Sequence, residues 1–353
     1  MEEKKTPQFW NTERPVFIRW IRRIFASVLA LVLALFLVLQ FSPVQTWLAQ
    51  KVTNYISGIT NTTINAERIK INPWDGIILQ QLDVIDDQKD TILHLGALNV
   101  SLRKNLFFLI NNQLNLSYLG LKDVKINIVT ELGENKSNII QFLDHLSSPN
   151  KTKSDKTPLL LDVKEVDLSK IEVFIDNKNT GKKQILKLSS GHIDINYIDL
   201  VCKEFDIAYI LLDGPHFQTL KYDYECVMTD SEIKSELKRN TSDQDENHLL
   251  FLVKDLSIKN GFFGANNQLI KQNPEFIDQL DYKNFYFKNI NLIVTNTEWR
   301  NGELKSKIDG INAEDNTGYQ ISNIKSDTVQ VTNESIQLKG LAVEMGKTKI
   351  TDR

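Results

Sequence analysis

Hydrophobic and polar positions divide this chain into three regimes. Ile24 to Phe41, IFASVLALVLALFLVLQF, is an apolar run of 18 residues with no charge and only Ser27 and Gln40 polar. Val44, Trp47, Leu48, Val52, Tyr55, Ile56 and Ile59 then recur at i, i+3, i+4, the period of an amphipathic helix. Pro43 fits the first turn of that helix and Gly58 its stop. From Ile64 onward the period falls to two, the mark of half-buried strands.

The alternation predicts strands over Ile64–Ile71, Ile77–Asp86, Thr91–Leu95, Leu98–Leu102, Leu114–Tyr118 and Leu121–Val129. Pro73-Trp74-Asp75-Gly76 reads as a turn. One wet face on each strand predicts antiparallel pairing. Residues 138–146 carry a helical period, and the polar stretches 147–158 and 237–247 read as loops. A local unit recurs: apolar, two mostly polar residues, then apolar-x-apolar. Leu121-Lys122-Asp123-Val124-Lys125-Ile126 is one copy, and Val163–Leu168, Val253–Ile258, Phe287–Leu292, Leu338–Val343 and the looser Leu79–Val84 are others. The two-residue interruption has the form of a bulge that resets strand phase. The expected architecture is mainly β: an elongated, curled, antiparallel sheet forming an open groove, with few short helices.

Length decides how the first regime is read. A helix of 18 residues reaches about 27 Å, near the ~30 Å hydrocarbon core of a bilayer. Lys4, Lys5, Arg14, Arg19, Arg22 and Arg23 precede it, and the next basic residue is Lys51. That asymmetry predicts a single-pass anchor with a cytoplasmic N-terminus. The predicted organisation is a tail at 1–23, the anchor at 24–41, an amphipathic helix at 42–60 and a repetitive β region at 61–353 that stops without a cap and is expected to continue. The helix at 42–60 carries one basic residue, Lys51, so capping the sheet is favoured over lying on a membrane.

Charge removes one class of partner. Beyond residue 23 the chain holds 36 Lys/Arg and 42 Asp/Glu, too acidic a balance for phosphate-backbone binding, so no nucleic acid is expected. Chemistry is sparse. Nucleotide-loop, nucleophile-elbow and zincin motifs are absent from the sequence, and His94, His145, His192, His216 and His248 are widely spaced. Asp162, Asp167, Asp194 and Asp199 fall where a strand needs a wet face or a turn. The expectation is a non-enzyme with no metal or cofactor. Cys202 and Cys226 are open to two readings, a disulfide in an oxidising compartment or two small residues in or near strands.

The order of these features resembles a known family. An anchor, an amphipathic helix, strands up to Pro73-Trp74-Asp75-Gly76, then Leu82-Asp83-Val84, Leu98–Leu102, Leu106–Ile110, Leu114–Val129 and Ser137-Asn138-Ile139-Ile140-Gln141-Phe142-Leu143 follow the N-terminal pattern of the AsmA-like proteins, the TamB-like members in particular. The resemblance extends over residues 24–146 and covers the remainder only in style. It implies an inner-membrane protein whose β-groove extends through the periplasm and carries phospholipid towards the outer membrane. It also implies a second role, as a scaffold with an outer-membrane barrel partner in outer-membrane protein assembly or secretion. The candidate groove-lining residues form one strand phase: Leu114, Leu116, Val124, Ile126, Ile128, Leu168, Ile171, Val173, Ile175, Ile193, Ile195, Leu256, Ile258, Leu292 and Val294.

Overall fold

The computed structural model describes Ser27 and residues 41–60, 62–72, 74–104, 113–147, 160–199, 202–222, 249–268, 281, 283–345 and 348–351. The expected anchor, apart from Ser27 and Phe41, lies outside the described residues, as do both polar loops apart from Ser147, which ends a helix. Among the described residues, no helix is long and apolar enough to cross a membrane.

Two helices and fifteen strands are described. Helix α1 (Ser42–Thr60) leads into β1 (Thr63–Asn72), β2 (Gly76–Ile85), β3 (Thr91–Leu102) and β4 (Gln113–Thr130). Helix α2 (Asn138–Ser147) precedes β5 (Leu160–Asn177), β6 (Lys182–Asp199), β7 (Glu204–Asp213) and β8 (His216–Lys221). Then follow β9 (Leu250–Asn267), β10 (Asn284–Arg300), β11 (Glu303–Asp315), β12 (Gln320–Val331), β13 (Ile336–Lys339), β14 (Ala342–Met345) and β15 (Thr348–Thr351). They build one sheet in near-sequential order. Strands β7 and β8 act as one strand broken at Gly214-Pro215, both pairing β6 on one side and β9 on the other.

The sheet departs from the all-antiparallel expectation at two seams. β4 pairs β5 in parallel, and so do β7 and β8 with β9. Parallel neighbours need a long return connection, and the chain supplies one between Thr130 and Leu160 and another between Lys221 and Leu250. Two further expectations are corrected. Thr91–Leu102 and Gln113–Thr130 are each one strand, where the sequence suggested two apiece. The phase reset inside each looks like a strand end in the sequence, but in the structure the strand runs through it, with Leu95–Val124 and Ala97–Lys122 paired in one register on either side. Helix α1 also runs past Gly58 to Thr60.

Those resets have a backbone signature. Gln81, Asp123, Lys170, Asn260 and Asn289 all have φ between 52° and 54°, and each is the second of two residues separating apolar positions. A left-handed residue inside a strand inserts one extra position, so the apolar residues on either side keep the same face. Asn and Asp tolerate this conformation by local hydrogen bonding; Lys170 has no such help.

Helix α1 covers the outer edge of β1. The Gln45 side chain donates from Nε2 to the Ile71 carbonyl (2.9 Å) and accepts the Ile71 N–H at Oε1 (3.3 Å). Ser57 Oγ accepts the Ile64 N–H at 3.0 Å. These side chains stand in for a neighbouring strand, which an uncovered edge would otherwise recruit. Asn138 repeats the device at β4: its amide donates to the Asn127 carbonyl (3.1 Å) and accepts the Val129 N–H (3.0 Å). Beneath the two helices Ile64, Val84 and Ile92 form a buried cluster against Ile56, Ile139 and Phe142.

Candidate functional site

Pairing partners in a ladder point to the same side of the sheet, so the register decides which side chains share a face. Leu95 pairs Val124, which pairs Ile171, which pairs Leu188. Leu93, Ile126, Val173 and Leu186 form the next row, continued by Phe217, Phe263 and Phe287. On the other side of the reset line, a longer row runs Ile69, Leu79, Leu98, Leu121, Leu168, Gly191, Leu212, Ile258, Leu292, Ile311 and Ile324. Beside it lies Ile71, Ile77, Val100, Leu119, Val166, Ile193, Ile210, Leu256, Val294 and Ile308.

All the candidate groove residues fall on this one face. They do so because most long strands reset phase twice. On β4 the apolar positions are Leu116, Leu119, Leu121, Val124, Ile126 and Ile128. On β5 they are Val163, Val166, Leu168, Ile171, Val173 and Ile175, and on β9 Val253, Leu256, Ile258, Gly261, Phe263 and Ala265. The spacing is identical in all three strands. The candidate set omitted Leu119, Leu121, Val166, Ile210 and Leu212, which lie on the same face. The repeated spacing itself was the signal for them.

Burial along this face is uneven. Leu116, Val163, Ile207 and Val253, which lie on β4, β5, β7 and β9, are 5%, 4%, 8% and 4% exposed. Leu186 and Phe263, further along the same face, are 37% and 39% exposed. Gly191 occupies the long row where a Cβ would meet Leu188, Leu212 and Leu168 side chains at 3.1–3.4 Å. Its lack of a side chain lets the neighbouring leucines close over the backbone there.

The opposite face is mainly polar, with Ile78, Tyr286 and Ile293 exposed on it. His94 Nδ1 lies 2.6 Å from Asp83, and Lys187 reaches Glu172 at 3.6 Å. At its centre sits a cluster that the scattered sequence positions did not reveal. Cross-strand register sets Asp167 opposite His192 and Glu165 opposite Asp194. His192 Nδ1 lies 2.7 Å from Asp167 and its Nε2 3.3 Å from Asp194. The Tyr118 hydroxyl donates to Asp167 at 3.0 Å. The hydrogen bond that His192 donates to Asp167 is the main influence holding the His192 pKa above its ordinary value, with the nearby acidic charges assisting. Burial, then the same carboxylate, raises Tyr118. Donor atoms of Glu165, Asp167 and His192 converge closely enough to hold a metal ion. With both imidazole nitrogens facing carboxylates, the arrangement suits an imidazolium shared by acids. Cys202 is exposed in the turn between β6 and β7, away from this cluster, and Cys226 lies outside the described residues.

In comparisons with known proteins, the chain matches no family model and no curated sequence.

Proposed function

We propose that this chain is a membrane-anchored bridge whose apolar sheet face carries phospholipid acyl chains between the two membranes of a bacterial envelope. The observation that carries the reading is the continuity of the apolar rows. One crosses every strand position from β1 to β12 with only Gly191 lacking an apolar side chain. At about 4.8 Å per strand the path is roughly 50 Å long, the dimension of a conduit rather than a pocket.

An apolar face on a single sheet needs a cover. Among the described residues, the helices pack at the β1–β4 end of the sheet, on Ile64, Val84 and Ile92 and on each other. Yet Leu116, Val163, Ile207 and Val253 are nearly fully buried. A sheet curled about the row direction accounts for both facts, and the more exposed Leu186 and Phe263 then mark where the trough is open. Acyl chains laid there gain the burial free energy of apolar surface, about 25 cal/mol per Å². Transfer of this kind needs no reacting group: lipid slides along rows of equivalent sites. The order of anchor, helix and strands, similar to that of AsmA-like proteins, supports the location.

The test is photo-crosslinking in cells from benzoylphenylalanine placed at Leu256, on the apolar face, or at Lys254, exposed on the other. Mass spectrometry should find phospholipid adducts from position 256 and none from 254. Ile126→Asp with Val173→Asp, a directly paired couple, should abolish the adduct at 256 while the chain stays folded. Absence of lipid at 256 in the unaltered background overturns the conduit.

A further inference from the structure

The sheet-facing side of helix α1 carries Gln45, Ser57 and Thr60 beside the apolar Ile56, which packs on the Ile64, Val84 and Ile92 cluster; Gln45 and Ser57 are bonded to the backbone of β1. The helix's outward side carries Trp47 and Tyr55, 57% and 71% exposed, with Ile59 at 39% and Phe41 at its start at 67%, interleaved with the exposed Gln50, Lys51 and Asn54. The single charge on the helix is Lys51. A solvated helix face normally carries charge, and a protein-covered one aliphatic residues. Trp and Tyr are the side chains that settle at the level of lipid headgroups.

We infer that this outward face of α1 lies in the interfacial layer of the membrane that holds the anchor, so that one helix both seals the sheet edge and fixes the sheet against the bilayer. This rests on the anchor assigned under the proposed function. What specifies a bilayer as the occupant is sequence continuity: the uncharged run ends at Phe41 and α1 begins at Ser42. The helix therefore starts where the chain leaves the hydrocarbon. Helix α2, packed on α1, adds outward Ile140 and Leu143, 47% and 53% exposed. A helix with one basic residue gains little from anionic lipid; its adhesion comes from aromatic insertion and from tethering. Contact should therefore be indifferent to salt and to headgroup charge. With the β1 edge bonded to a helix lying at the interface, the apolar rows begin at the membrane surface, where a lipid leaving the bilayer would enter them.

The experiment uses the full chain in phosphatidylcholine vesicles, with Trp10, Trp20, Trp74 and Trp299 changed to Phe so that Trp47 alone emits. The expected result is blue-shifted emission, quenched by phosphatidylcholine brominated on its acyl chains, protected from iodide, and unchanged when phosphatidylglycerol is added. A chain that floats with the vesicles but whose Trp47 ignores bromine overturns the inference and leaves the anchor intact. A chain that does not float overturns both. Benzoylphenylalanine at position 47 in the otherwise unaltered chain probes the same contact without the four replacements. Lipid adducts support the inference, and adducts to protein, a second copy included, overturn it.

Discussion

At the scale of single residues the sheet is governed by where its strands change phase. Asp123, Asn260 and Asn289 occupy their left-handed positions readily, whereas Gln81 and Lys170 hold the same φ near 53° at a cost of about 1 kcal/mol each. The sequence announced these places as two polar residues between apolar ones, but not which resets need a left-handed residue. The copies at Val163–Val166 and Val253–Leu256 reset without one. A second residue-scale property was not legible at all. His192 sits far from Asp167 in sequence, and only the β5–β6 register brings them into contact. Its pKa is raised in the folded state, chiefly by the Asp167 hydrogen bond. Stability from that interaction is therefore fully present below about pH 6.5, the unfolded value, and is lost as pH rises through the higher folded value. Thermal melting followed across that window should show the unaltered protein losing stability with rising pH, and His192→Gln removing most of that slope. An unchanged slope in the variant would place the titration elsewhere.

At the scale of elements, α1 holds the first strand by side chains rather than by apolar contact alone. Gln45 is 7% exposed and satisfies both backbone groups of Ile71. Gln45→Ala leaves those groups without partners, which costs about 1–3 kcal/mol. Hydrogen exchange should register this as faster exchange at Ile71 and its β1 neighbours, with β9 and β10 unaffected; uniform loss across the sheet would mean that the edge is not an independent unit. The helix and its capping role were readable from its 3.6-residue period and its single charge. That its sheet-facing side would bring Gln45 and Ser57 beside Ile56 as hydrogen-bond partners for β1 was not, because periodicity reports that two faces differ and not which backbone groups the sheet edge offers. Likewise the parallel seams escaped the sequence. A strand with one wet face alternates in the same way whichever direction its neighbour runs. The long strands β3 and β4 each resemble a pair of short ones in the sequence for a related reason: in a linear pattern a phase reset and a turn both appear as a break in alternation.

At the scale of the whole molecule, the two parallel seams divide the sheet into three antiparallel meanders, β1–β4, β5–β8 and β9–β15. Within a meander, neighbours are joined by shorter connections, at most the 16 residues between Asn267 and Asn284, so their pairing closes smaller loops. At a seam the chain must bring together strands separated by the 29 residues between Thr130 and Leu160, or the 28 between Lys221 and Leu250. Loop closure costs more there, and parallel ladders return slightly less per residue. The order of assembly follows. Each meander forms as its own nucleus, and the seams zip afterwards, at a rate set by sequence separation rather than by the strength of the finished sheet. Pulsed exchange labelling during refolding should protect the β5–β6 and β9–β10 amides in an earlier phase than those bonding across β4–β5 and β7–β9. Simultaneous protection would mean that the sheet condenses as one body. The shared apolar spacing of β4, β5 and β9 gives that late step a hazard: until a seam closes, an unpaired strand meets partners whose apolar positions match its own, and a wrong join buries as much apolar surface as the right one. The kinetic separation of meanders limits this, because only a meander that has already committed its other strands offers an edge to the seam.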